Sequence, residues 1–314
     1  MNSQTPLTCT PLSRPHRRQA IPLPLLELAL ILTWSSGFIG ARFSIDYAPA
    51  SLVVFWRCVV VTVVLFPFVI KPLRQTPLAV LLKNAGIGLL AMAGYLMGVT
   101  QGIALGVPAG LAALFADLLP IGMALLAAVV LRQRLTWRVW AGLVTGLAGV
   151  MLVTHDALAW GNAPSWAYAL PLLGMLSLAV ATLWQKHAPT PKTLGLLPNL
   201  WLQCCVSSVA FAALQGLQGS LAPIASAGFA LSVLWTVALS TLGGYGLYWM
   251  CLRRATATRV ASVLYLSPPV TLLWAWAMFD EPLSWLMALG MAVSGAGIAL
   301  VIQAESRQGR RAER

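Results

Sequence analysis

AGLAALFADLLPIGMALLAAVVL (109–131), RQRLTWR (132–138) and WAGLVTGLAGV (140–150) decide the reading of this chain, because their plan returns at 257–298. A gapless shift of 148 positions gives ATRVASVLYLSPPVTLLWAWAMF (257–279), DEPLSWL (280–286) and MALGMAVSGAGI (287–298). Matches of Ala and Leu mean little in so apolar a chain. The informative ones are Pro120 with Pro268, Leu135 and Trp137 with Leu283 and Trp285, Gly142 with Gly290, and Gly149 with Gly297. Each copy predicts an apolar helix interrupted by proline, a short loop, then a glycine-rich apolar helix. A duplicated membrane unit follows.

Composition agrees. Of 314 residues, 59% are hydrophobic and 9% charged, against about 25% charged in ordinary globular domains. Long apolar runs separated by short polar breaks predict an all-α polytopic membrane protein, since backbone groups in lipid must be satisfied within helices. Ten spans are expected: about 23–42, 49–70, 78–99, 108–131, 136–154, 165–186, 194–215, 228–250, 257–279 and 284–304. They divide into a tail (1–22), a five-helix half (23–154), a linker (155–164), a second five-helix half (165–304) and a basic tail (305–314). The tail 1–22 with its basic cluster resembles a signal peptide, but Ser35 to Ala41 makes a poor cleavage site, so a retained first helix is expected. Of the five cysteines, four lie in apolar runs without metal-like spacing, which predicts packed thiols.

The net charge of +12 follows topology rather than a nucleic-acid surface. With the N-terminus in the cytoplasm, 18 of the 20 Lys and Arg fall in cytoplasmic segments, Arg42 and Arg57 being the exceptions. The loop RQRLTWR is basic while its echo DEPLSWL is acidic, so homologous loops lie on opposite faces. Five helices per repeat require that outcome. The expected architecture is therefore two inverted five-helix repeats with both termini cytoplasmic.

These residues carry a family resemblance. WSSGFIGAR (34–42), the Arg57 region, AGLAALFADLLP with LRQRLT, and ASVLYLSPP with FDEPLS resemble the EamA-type transporters of the drug/metabolite transporter superfamily. The likeness spans about residues 25–304, with one departure: Gln133 stands where the family commonly has Glu, while Glu281 keeps it. The resemblance implies a cavity lined by the first four helices of each half, with the fifth and tenth peripheral.

Asp117 lies about 14 Å along its span, where a carboxylate costs about 2.5–3.5 kcal/mol on insertion scales. It can bind an amine, carry a proton or pair with a base. Arg57 enters from the same face to about 12 Å, so a pair with Asp117 is geometrically open; a substrate-carboxylate role is the other reading, raised by the family's arginine here. Gln203 takes the equivalent place in the second half (WLQC against FWRC). Pro120, Pro268 and Pro269 interrupt helices and serve as hinges or static kinks. Trp34, Tyr95, Gln101, Tyr245, Tyr265 and Trp274 are candidate cavity walls, with plain packing as the alternative. Glu27 is expected at an interface, Arg42 and Glu281 at wetted helix ends, and the other acids in loops or tails. No phosphate-binding glycine loop, nucleophile–base pair or metal pattern is present in the sequence. No cofactor is expected.

The expected function is secondary transport of small metabolites in a bacterial-type inner membrane. The resemblance favours export of amino-acid-like solutes by alternating access, driven by protons or a counter-substrate. An importer or exchanger, a membrane enzyme and a non-transporting membrane protein are the alternatives.

Overall fold

The computed structural model describes residues 21–130, 132, 135–160, 163–187, 194–252, 254, 255, 260 and 263–312. Arg14, Arg17, Arg18, Gln133, Arg134, Lys192, Arg253, Arg259, Arg314 and part of the expected span 257–279 lie outside them. Among the described residues every regular element is helical. We label the helices α1 (Leu23–Ser44), α2 (Ala50–Arg74), α3 (Leu78–Ala104), α4 (Ala109–Val130) and α5 (Trp137–Trp160). The second half has α6 (Ala169–His187), α7 (Leu196–Gln218), α8 (Ala227–Trp235 continuing to Tyr245–Leu252), α9 (Ser267–Phe279) and α10 (Trp285–Ala312). Among the described residues eight helices are long and apolar enough to cross a bilayer; the apolar part of α5 (Trp137–Val153) is shorter, and the described part of α9 has 13 residues.

Prolines start the helices. Pro22, Pro49, Pro77 and Pro108 each stand at the N-cap of α1 to α4, where a missing N–H removes no intrahelical bond. The expected linker 155–164 is helical as far as Trp160, placing Asp156 in α5, because Gly149 is followed by no Gly or Pro before Gly161. Likewise α10 continues through Glu305 to Ala312, over most of the expected tail.

Packing pairs the halves. The principal contacts are α5 with α10, α2 with α7, α4 with α9, α1 with α8 and α3 with α6. Exchanging each helix for the one five later maps that set onto itself. At α5 and α10 the relation is visible in single residues: Gly142 lies against Gly297, and Gly149 against Gly290. Rising numbers on one helix meet falling numbers on the other, so the repeat-equivalent helices run antiparallel. The repeats are inverted.

The proline breaks are also duplicated. The first part of α4 ends at Asp117; Leu118 N–H donates to Phe115 O (3.3 Å) and Gly122 N–H to Leu118 O (2.9 Å). In the second copy Leu266 N–H donates to Val263 O (3.1 Å) and Val270 N–H to Leu266 O (3.2 Å). The prolines therefore do not sit inside continuous helices, as the sequence predicts; each chain breaks first and the prolines occupy the opening turn of the next segment. Their ring forbids the i−4 bond, so the break is the cheapest solution. Both copies then end in a left-handed residue, Arg132 (φ 52°) and Asp280 (φ 53°).

The first part of α4 is the centre of the bundle, with Ala109, Ala112 and Ala113 fully buried. Large apolar side chains such as Phe68, Val129 and Leu217 point outward, which suits lipid and no aqueous surface.

Candidate functional site

Two helices that border one cavity are irregular beside it. A π-helical stretch, Leu89–Gly94, interrupts α3, and another, Thr236–Gly244, interrupts α8. The two helices are repeat equivalents, and each π stretch ends at a tyrosine, Tyr95 and Tyr245. A π turn adds a residue to the helical round and re-aims the side chains after it. Both tyrosines line a cavity whose other walls are Trp34, Gly37, Phe38 and Ala41 of α1, Arg57 of α2, Leu96, Val99 and Thr100 of α3, and Ser240 of α8. Trp34 stands 6.0 Å, ring to ring, from Tyr245. The cavity measures about 60 Å³, well below the ~150 Å³ of a cavity that holds benzene. An amino-acid-sized solute needs the surrounding helices to part.

Arg57 is 8% exposed. Its Nε donates to Thr241 Oγ1 at 2.7 Å, and the Thr241 hydroxyl donates to Thr236 O across the π turn at 2.9 Å. Among the described residues the other guanidinium nitrogens have no hydrogen-bond partner, and no carboxylate pairs with Arg57. The expected Arg57–Asp117 pair is not formed. Similar depth did not bring them together because α2 packs chiefly on α7 and α4 on α9, while Tyr95 on α3 lies within electrostatic reach of both. Ser240 Oγ, beside Gly37, is buried without a partner. A buried cation thus lacks a counter-charge among the described residues, and a buried hydroxyl of the same cavity lacks a hydrogen-bond partner.

Asp117 belongs to a second cavity of about 270 Å³ with Leu114, Tyr265, Pro268, Pro269 and one face of α10. Its Oδ2 is buried without a hydrogen-bond partner. The remaining candidates fall elsewhere. Gln203 packs against Gly88 of α3, and Trp274 stacks obliquely on Trp235 at 5.9 Å within the core. Gln101 and Pro120 are not among the lining residues of either cavity. Glu27, expected at an interface, is 8% exposed.

Arg42 and Glu281, expected at wetted ends, are joined. Arg42 Nη1 meets Asp46 Oδ1 at 3.0 Å, its Nε lies 3.6 Å from Glu281 Oε1, and its guanidinium covers the Phe279 ring at 4.8 Å. Glu281 also accepts from the first N–H of α4, at Ala109 (3.1 Å to Oε2). One knot thus ties α1, α4 and α9 beside cavity residue Ala41. Burial pushes the Glu281 carboxyl above its usual range, against the opposing pulls of the Ala109 N–H and Arg42. The state that buries Glu281 therefore binds protons more tightly than one that exposes it. Acidification from neutral toward the ordinary carboxylate value of 4.5 should favour the tied state, and rising pH should loosen it. Labelling of Ala41→Cys by a reagent whose rate does not follow the thiolate fraction, or by maleimide normalised to a fully exposed cysteine at each pH, should accordingly fall with acidification, and Glu281→Gln should remove that residual dependence.

The comparisons fit a transporter. Residues 23–155 and 165–303 match the EamA-like transporter family. The chain belongs to that family. A probable amino-acid metabolite efflux pump of Salmonella typhimurium is 26% identical over 283 residues, covering 87% of this chain and 92% of the relative. A probable terminal-alkyne amino-acid exporter of Streptantibioticus cattleyicolor is 29% identical over 282 residues, covering 86% and 90%. An uncharacterized inner membrane transporter of Escherichia coli is 24% identical over 285 residues, covering 90% and 92%. A crystal structure at 19% identity shares the fold, with a TM-score of 0.59 over 93% of this chain and 99% of that one. This EamA-family chain is a multi-pass membrane transporter, and its inverted halves meet at the cavity that holds Arg57.

What the sequence reading missed is Thr241, Ser240 and Thr100, and the π turns. A signal existed: AMAGYLMG (91–98) and TLGGYGLY (241–248) place Gly-Tyr at equivalent positions of α3 and α8.

Proposed function

We propose that this EamA-family transporter exports amino-acid-like or related small metabolites across a bacterial-type inner membrane by alternating access, with the central cavity as its binding site. The observation that carries the reading is Arg57, a buried guanidinium without a counter-charge among the described residues. A substrate carboxylate supplies that charge; Ser240 and Thr241 offer hydroxyls, and Trp34, Tyr95 and Tyr245 enclose the apolar part. The names of the efflux-pump and exporter relatives support the substrate class and direction. Purified transporter in liposomes should exchange labelled neutral amino acids and ignore the corresponding decarboxylated amines. Equal transport of both would remove the carboxylate from the reading, and net uptake into cells would make the protein an importer.

Ten crossings with cytoplasmic termini complete the proposal. Reporters fused after Gly106, Gln218 and Glu281 should register the outer face, and those after Arg134, Lys192 and Arg254 the cytoplasm. A shared side for the loops 132–138 and 280–284 would contradict it. For coupling, the separation of Asp117 from Arg57 lifts the objection that a nearby cation holds the carboxylate charged. Asp117 is our candidate proton carrier, a counter-substrate being the alternative. In the same liposomes Asp117→Asn should abolish accumulation driven by a pH gradient and leave substrate exchange.

A further inference from the structure

The first repeat provides a template for the outside of the second, and one face departs from it. On α5, Trp140, Val144 and Leu147 stand 51%, 65% and 57% exposed. Their equivalents on α10, 148 positions on, are Ala288, Ala292 and Gly295. Beside them Ile121, which packs on Gly146, is replaced by Pro269. Large side chains have become small on one face, and the cavity of about 270 Å³ occupies their place. Cavities of ~150 Å³ already hold benzene.

The cavity's polar chemistry is one-sided. Asp117 Oδ2 is buried without a partner. Among the described residues no Lys or Arg lines the space. A buried carboxylate oxygen without a partner, and without a cation among the described lining residues, calls for a ligand with N–H donors and positive charge. Ala288 and Ala292 are exposed at the rim, on a helix face that meets lipid. The ligand therefore also has an apolar body that partitions into the bilayer.

We propose that the cavity between α4, α9 and α10 is a second binding site, separate from the Arg57 cavity, for a small apolar molecule bearing a protonated primary amine, with Asp117 as its counter-ion. The site is independent of the transport reading, because it is tested by binding alone. A proton and the amine compete for the one Asp117 carboxylate, so the amine is titrated at neutral pH or above.

Full-length protein in phosphatidylcholine nanodiscs, whose headgroups carry no N–H, is titrated with 2-phenylethylamine by calorimetry. The amine should bind, and 2-phenylethanol and phenylacetate should bind roughly tenfold more weakly or worse, the usual worth of a charge-assisted hydrogen bond. Asp117→Asn should cost the amine a similar factor and leave the alcohol unchanged. Gly295→Leu should remove both: a Cβ at Gly295 meets nothing within 4 Å, so the variant fills the cavity without disturbing the fold, and it decides the matter should Asp117→Asn misfold. Arg57→Gln should leave amine binding intact. Absence of binding to the wild type, amine affinity indifferent to Gly295→Leu, or loss with Arg57→Gln would each overturn the proposal.

Discussion

Replacing Arg57 by Gln is expected to abolish measurable exchange of carboxylated substrates. Removing one member of a buried charge pair costs about 2–5 kcal/mol, roughly 30-fold to several-thousand-fold in affinity. Arg57→Lys keeps the charge but loses the planar fork and the Nε donor that Thr241 accepts at 2.7 Å, so partial activity at weakened affinity is expected. A merely structural arginine would behave otherwise. In the empty protein the guanidinium is buried without a counter-charge among the described residues, so Arg57→Gln should leave the melting temperature unchanged or raised. A strong fall in melting temperature with exchange preserved in the surviving protein would reject the binding role. Because Arg57 and Asp117 line different cavities, the stability changes of Arg57→Gln and Asp117→Asn should add within about 0.5 kcal/mol. Direct pairing would make the double variant milder than the sum.

The repeat was legible because its signals are backbone signals. Proline forbids a bond and glycine permits a close approach, so Pro120 with Pro268 and Gly149 with Gly297 mark local geometry wherever they occur. They identified the breaks and the duplicated glycine-rich helix, and the charge inversion between RQRLTWR and DEPLSWL identified the opposite orientation of the two copies. That the glycines mark a tight crossing of α5 and α10 came from the structure. The residues gathered in the cavity were only half legible. Trp34, Arg57, Tyr95 and Tyr245 stand out as costly or amphipathic groups in apolar spans. Ser240 and Thr241 do not, since hydroxyls are common in such helices and satisfy themselves on the preceding turn, as Thr100 does on Leu96 O. Only the π stretch of α8, a tertiary accommodation around α1, turns Thr241 toward Arg57. Depth along a helix was the weakest guide. It set Arg57 and Asp117 at one level and said nothing of azimuth, which is where the pair failed. Glu281 was misread for a related reason: the loop that holds it folds back onto the start of α4, a contact 172 residues distant in sequence.

Gly149→Leu and Gly297→Leu should each leave little folded protein. A Cβ at Gly149 would stand 2.5 Å from Gly290 O and 2.8 Å from Ser294 Cα; one at Gly297 would stand 2.6 Å from Gly146 Cα and 2.7 Å from Gly142 O. These obstacles are main chain on the opposite helix, so no rotamer change relieves them and α5 must part from α10. Without a hydrophobic drive between helices in lipid, close backbone packing is the main source of their association. Overpacking an ordinary core costs about 1–3 kcal/mol; separation of two helices along their crossing should reach or exceed that, out of a typical total of about 5–15 kcal/mol. Gly295→Leu is the control on the same helix, with open space at its Cβ, and should be neutral for folding. Fluorescence-detected size exclusion after mild heating reads all three. Monodisperse, heat-resistant Gly149→Leu would mean that the crossing is not what holds the halves together. The pseudo-symmetry adds a sharper demand. Gly149 and Gly297 occupy equivalent positions on antiparallel partners, each facing the other's helix, so their single substitutions should cost similar amounts. The double substitution should cost less than twice either, because helices parted by the first no longer clash fully with the second.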